Sequence, residues 1–110
     1  MRDYDKIIMN TTVTNETKYS DGFPVEDMNG YAIQAAWVGA LANGQIKIEA
    51  SIDNNTFFEL PDSAVTISGT GDQMWNVTGV FYKWMRMAVV SSDANPIAVG
   101  VRIYAKGALP

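Results

Sequence analysis

Cysteine and histidine are both absent from this 110-residue chain. Without thiols there is no disulfide framework, no thiolate nucleophile and no thiolate metal site. Without imidazole, the commonest general base and the commonest zinc ligand are missing. Carboxylates, Lys, Tyr, Ser and Thr are all that remain for catalysis. Charge is sparse as well, at 18% of residues against about a quarter in an average soluble protein. Eight Lys and Arg face twelve Asp and Glu, for a net charge of −4, and the basic residues do not cluster. That balance argues against a nucleic-acid partner. No run approaches ~20 apolar residues, so no membrane span is expected. The opening MRDYDKIIMN is charged and has no apolar stretch of signal-peptide length. Synthesis in a cytoplasm without a Sec signal is the corresponding expectation.

A helical period is missing too. No window keeps apolar residues 3.6 apart, and Gly or Pro recurs at roughly strand-length intervals. What is present is alternation. Gln45 to Asp53 places Ile46, Ile48, Ala50 and Ile52 on one face and Gln45, Lys47, Glu49 and Ser51 on the other, the pattern of a half-buried strand. Tyr31 to Val38 aligns Tyr31, Ile33, Ala35 and Trp37. Tyr82 to Val90 aligns Tyr82, Trp84, Arg86, Ala88 and Val90. Ile97 to Ala105 aligns Ile97, Val99, Val101 and Ile103. Shorter strands are expected at 57–60, 65–68 and 73–77, with one or two more at 4–9 and 11–13. Two long hairpins, 31–53 and 82–106, with short strands between them would make an all-β, antiparallel two-sheet sandwich. It would be jelly-roll-like, with about eight strands. The polar stretch before residue 30 reads as an N-terminal strand or arm and a loop, and 30–110 as the sandwich of a single domain.

Candidate functional residues gather around SIDNNTFF, residues 51–58. Asp53, Asn54 and Asn55 suggest a calcium loop, but such a loop needs further carboxylates and flanking helices that this segment lacks. Asn and Asp are also the residues that cap turns and accept left-handed backbone. A strand following the turn must point Phe57 and Phe58 to opposite faces, one into the core and one out. Trp37 and Trp84 lie inside long strands and are expected in the core. Phe57, Phe58 and Phe81 lie near loops and are candidates for contact with a neighbour. Four N-x-[ST] sequons, at Asn10, Asn15, Asn54 and Asn76, carry no expectation without a secretion route. No cofactor, metal site or catalytic pair is indicated.

The order of these segments resembles a family of small bacteriophage proteins. The residues that carry the likeness are Tyr31, Ile33, Gln34, Trp37 and Gly39, then Ser51, Asp53 and Phe57. Gly69, Gly71, Trp75, Asn76, Arg86, Lys106 and Gly107 follow, so that the match spans about residues 30–107. The resemblance implies a structural, non-enzymatic protein of the virion, such as a capsid decoration or a head or tail accessory. Its partners would be other phage structural proteins and further copies of itself, a trimer being expected before a dimer. A looser likeness joins EASIDNNTFFEL and YKWMRM to discoidin-type galactose-binding sandwiches, although Asn54 stands where those have Gly and Phe57 where they have Trp. It implies a jelly-roll sandwich and, as the alternative function, a carbohydrate-binding module for attachment to the host surface, with Asp53, Phe57 and Phe58 at its tip.

Overall fold

Ten strands run through the chain in the computed structural model, which describes residues 3–26 and 28–107. They are β1 (Asp3–Val13), β2 (Thr17–Tyr19), β3 (Phe23–Pro24), β4 (Met28–Val38) and β5 (Asn43–Ser51). Then come β6 (Phe58–Glu59), β7 (Val65–Ser68), β8 (Gly71–Thr78), β9 (Trp84–Ser91) and β10 (Ile97–Gly107). One sheet has the order β1-β10-β4-β8. In the other, β9 and β5 are central, β2 and β3 flank β9, and β6 and β7 flank β5. Because β2/β3 and β6/β7 each share one flank, ten strands fill eight positions. That order, with every pair antiparallel, is the jelly-roll sandwich.

The alternating segments build the core. Tyr31, Ile33, Ala35 and Trp37 of β4 and Ile97, Val99, Val101 and Ile103 of β10 point inward from one sheet. Ile46 and Ile48 of β5 and Met85, Met87 and Val89 of β9 meet them from the other. Each fully buried Ile or Val contributes about 1.5–3 kcal/mol of hydrophobic stabilisation. Gly71 is set by this packing: a Cβ there would come within 3.2 Å of the Trp37 ring. Trp75 is buried from β8, and its indole N–H donates to the Ser63 carbonyl at 2.8 Å.

Several expectations are corrected. The two long hairpins are not hairpins. β4 and β5 lie in different sheets, as do β9 and β10, so each turn carries the chain across the sandwich. Among the described strands, the connection that joins sheet neighbours is the one from β5 to β6. The strands expected at 4–9 and 11–13 are one, β1, which lies along β10 from Asp3 to Val13 with a bulge at Ile8, whereas the polar stretch after it, expected as a loop, supplies β2 and β3, which pair with β9. Trp84 is not in the core. Met85, Met87 and Val89 take the inner face of β9, leaving Trp84 half-buried outside beside Arg86. Ile52 is exposed, because β5 ends at Ser51 and the chain turns there.

The loops divide between two ends. At one end, 14–16, 39–42, 69–70 and 92–96 are knitted together. Ser92 N–H donates to Asn43 O, Gly69 N–H to Ala42 O, and the Asn95 amide to Leu41 O. At the other end lie 20–22, 25–26, 52–57 and 79–83, joined through Lys83 N–H to Ser51 O and Val25 N–H to Lys83 O.

Candidate contact surface

The second end is built around Ser51. Its hydroxyl accepts from the N–H of Asp53 and Asn54 at 3.2 and 3.0 Å and donates to Asp53 Oδ1 at 2.8 Å. Asp53 Oδ1 also accepts from the N–H of Asn55 and Thr56, both at 2.9 Å. Those two backbone donors, and then the Ser51 hydroxyl, hold the Asp53 carboxyl below the usual carboxylate range. Asn54 takes a left-handed φ of 57°. Gly22 packs so closely on the Asn54 side chain that a Cβ would overlap Oδ1. Asp53 therefore serves as a turn cap, with its Oδ1 saturated from within the loop. Among the described residues, no group of three carboxylates gathers that could hold a metal ion.

A related turn closes β9. Ser91 Oγ donates to Asp93 O at 3.0 Å, Asn95 N–H donates to Asp93 Oδ1 at 2.9 Å, and the Asn43 amide donates to Oδ2 at 3.1 Å. The two central strands of the six-stranded sheet thus end in one S-x-D signature at opposite ends of the molecule, because they run antiparallel. The Asp93 carboxyl is lowered by the Asn43 amide first and then by the Asn95 N–H.

The two phenylalanines after the turn part company, but neither joins the core. Phe58 begins β6 opposite Ala50 and is 69% exposed. Phe57 is half-buried on the outer face of the six-stranded sheet, where its ring lies 4.2 Å from the Arg86 guanidinium carbon. Tyr19 covers the same guanidinium at 3.9 Å. Arg86 Nε–H donates to Glu49 Oε1 at 2.7 Å, and Glu49 is only 9% exposed. Arg86 is thus clamped between two rings and tied to a carboxylate, an arrangement that gains from both cation–π attraction and a charge-assisted hydrogen bond. Next to it Lys47 pairs with Glu59 at 3.2 Å.

Phe81 is the most exposed large apolar residue described, at 94%. The Lys83–Ser51 hydrogen bond brings its loop beside Ile52, itself 71% exposed. A pocket of about 340 Å³ opens here, lined by Ala50, Ile52, Thr56, Phe58 and Tyr82 together with Ser51 and Asp53. Of the residues expected here from sequence, Asp53, Asn54 and Asn55 shape the loop, Phe58 and Phe81 present apolar surface, and Phe57 braces the sheet. Tyr19, Glu49, Arg86 and Ile52 were not foreseen. An arginine on an otherwise apolar strand face was the available sign of the clamp.

No family model matches the chain, and no curated protein matches it. Solved structures do. The PBSX exported protein XepA superposes with a TM-score of 0.72 at 14% identity, over 97% of this chain and 38% of that one. The chain therefore spans well under half of XepA's length. The SPBc2 prophage-derived protein YomS superposes with a TM-score of 0.62 at 14% identity, over 94% of this chain and 92% of its own. The Clostridium thermocellum xylanase CBM22-1-GH10 modules complexed with xylohexaose reach 0.61 at 8% identity, over 98% of this chain and 25% of theirs. At these identities the likeness is one of fold: this chain shares its β-sandwich with prophage-encoded proteins and with at least one glycan-degrading enzyme.

Proposed function

We propose that this protein is a non-enzymatic structural component of a bacteriophage particle, a capsid decoration or a head or tail accessory, made in the host cytoplasm and held by protein–protein contacts. Phe58 and Phe81 carry the reading: two large rings stand 69% and 94% in solvent, Phe58 lining an apolar pocket and Phe81 next in sequence to Tyr82, which lines it too. Large exposed apolar side chains of this kind favour burial against a partner. The acids closest to it already have structural work: Asp53 caps, Glu49 pairs with Arg86 and Glu59 pairs with Lys47. The prophage origin of two fold neighbours and the motif order of residues 30–107 support the same direction. Mass spectrometry of purified particles tests it. The chain should be present in many copies, and its absence from intact particles would remove the proposal.

A second reading, a carbohydrate-binding module for host attachment, rests on Tyr19. Its half-exposed ring stands 3.9 Å from the Arg86 guanidinium carbon, beside Glu49 on the outer sheet face, and offers a sugar ring a stacking surface with polar groups close by. Titration with host cell-wall oligosaccharides distinguishes the two. Glycan binding lost in Tyr19→Ala would favour the module, and no binding by the intact protein would dismiss it.

A further inference from the structure

Four edges bound the two sheets, and three are blunted. β1 is broken by the bulge at Ile8 and carries Lys6 and the Asp5–Arg102 ion pair at 2.9 Å. β2 and β3 are three and two residues long, and β3 ends on Pro24. β6 and β7 are two and four residues long, with Pro61 between them. Short strands, bulges, charges and prolines are the means by which sheets keep their edges from pairing. β8 has almost none of these. It runs eight residues, GDQMWNVT, without proline, lysine or arginine, in unbroken register against β4.

The outward groups of β8 can be assigned. Val77 O lies 2.7 Å from where a Cβ on Gly30 would stand, so it points at β4. Backbone direction alternates along an antiparallel strand. The N–H and C=O of Asp72, Met74, Asn76 and Thr78 therefore point away from β4, and among the described strands β8 is paired with β4 alone. The side chains of the same four residues are exposed. Met74 O takes a long contact of 3.4 Å from the Gln73 amide. A groove of about 520 Å³, between Met74–Thr78 and the loop at 60–63, keeps the edge open to solvent.

We propose that β8 pairs antiparallel with β8 of a second copy of this chain, about a two-fold axis at Trp75, joining two four-stranded sheets into one of eight. With a single open edge among the described strands, edge pairing must be isologous, and an isologous contact gives a two-fold dimer. A threefold ring, the symmetry expected from the sequence, would need a second and different open edge. Overlap and charge set the register, since an axis at Trp75 is the one that pairs all four outward residues of β8. The axis at Trp75 places Asp72 opposite Thr78 and Met74 opposite Asn76, so the strand's one charge meets a hydroxyl. An axis at Asp72 would oppose two carboxylates, which is destabilising. Four facing residue pairs, exchanging two bonds each, would make about eight new hydrogen bonds.

Sedimentation equilibrium and amide exchange by NMR test this together. The expected result is a dimer in which the amides of Asp72, Met74, Asn76 and Thr78 are protected and lose protection on dilution. Those of Gln73, Trp75 and Val77 stay protected throughout. Met74→Lys, at a side chain 51% exposed, should leave the circular dichroism spectrum unchanged and raise the dimer dissociation constant more than tenfold. Asn76→Pro, which removes an outward N–H and no hydrogen bond to β4, should also raise the dimer dissociation constant. A monomer at all concentrations overturns the proposal. So does a dimer that survives Met74→Lys with the four outward amides exchanging freely. Protection of those amides only when another particle protein is added would replace the second copy by that protein.

Discussion

The hydroxyls of Tyr31 and Tyr82 lie 2.7 Å apart, joining the four-stranded sheet to the loop that lines the apolar pocket. Tyr31 is 4% exposed and Tyr82 is half-buried. Burial raises the pKa of both, most strongly for Tyr31, where the bond to Tyr82 adds to the rise.

That asymmetry makes the two phenylalanine substitutions unequal. Tyr82→Phe strands the deeply buried hydroxyl of Tyr31 and should destabilise by about 1–3 kcal/mol. Tyr31→Phe leaves the Tyr82 hydroxyl within reach of water and should cost about 0.5–1.5 kcal/mol. Urea unfolding of both variants checks the order; equal losses would mean that the hydroxyl pair is wet.

Arg86→Ala leaves the Glu49 carboxylate nearly buried without its partner and takes the support from under Tyr19 and Phe57. Breaking a fully buried pair costs about 3–5 kcal/mol, and the partial exposure here brings the expectation to about 2–3 kcal/mol. Replacing both members, as in Glu49→Leu with Arg86→Met, should recover much of that loss. The comparison is of melting temperatures across the double-mutant cycle.

How far these features could be read in the sequence follows from what each needs. Alternation with one wet face identified β5 and β10, because Lys47, Glu49 and Arg102 mark the outside. β9 offers two apolar faces, and ring size favoured burial of Trp84 where the thioethers of Met85 and Met87 are buried. Arg86, two residues from Trp84 and so on its face, pointed the other way. The turns at 39–42 and 92–96 were legible as turns, but nothing local says whether a strand returns to its own sheet or crosses to the other. β2 and β3 were hidden in a polar loop because they are edge pieces of three and two residues. The Arg86 clamp was out of reach for the same reason as the arches: Glu49 lies 37 residues away, and the pair forms only because β5 lies beside β9.

Acid should weaken the two caps. The carboxyls of Asp53 and Asp93 titrate lower in the folded chain than in the unfolded one. The stability they contribute is therefore fully present above the unfolded value of about 3.9 and is lost as pH falls through the folded values. Asp53→Asn keeps an acceptor for the loop N–H groups but does not titrate. Its unfolding free energy should fall less steeply than wild type below about pH 4. Parallel slopes would show that Asp53 is not a cap in solution.

Phe58→Ser and Phe81→Ser should leave stability within about 0.5 kcal/mol, since both rings stand mostly in solvent. Phe57→Ser should lower the melting temperature, because its ring packs on Arg86. Thermal melts of the three variants separate contact residues from a structural one.

The most direct test joins the exposed rings to the particle. A phage lacking this gene is complemented with wild type or with the Phe58→Ser, Phe81→Ser double variant, and copies per purified particle are counted by quantitative mass spectrometry. Wild type should be present in many copies per particle, and the folded double variant should be reduced at least tenfold. Equal incorporation of both, or no wild-type protein on the particles, would contradict this.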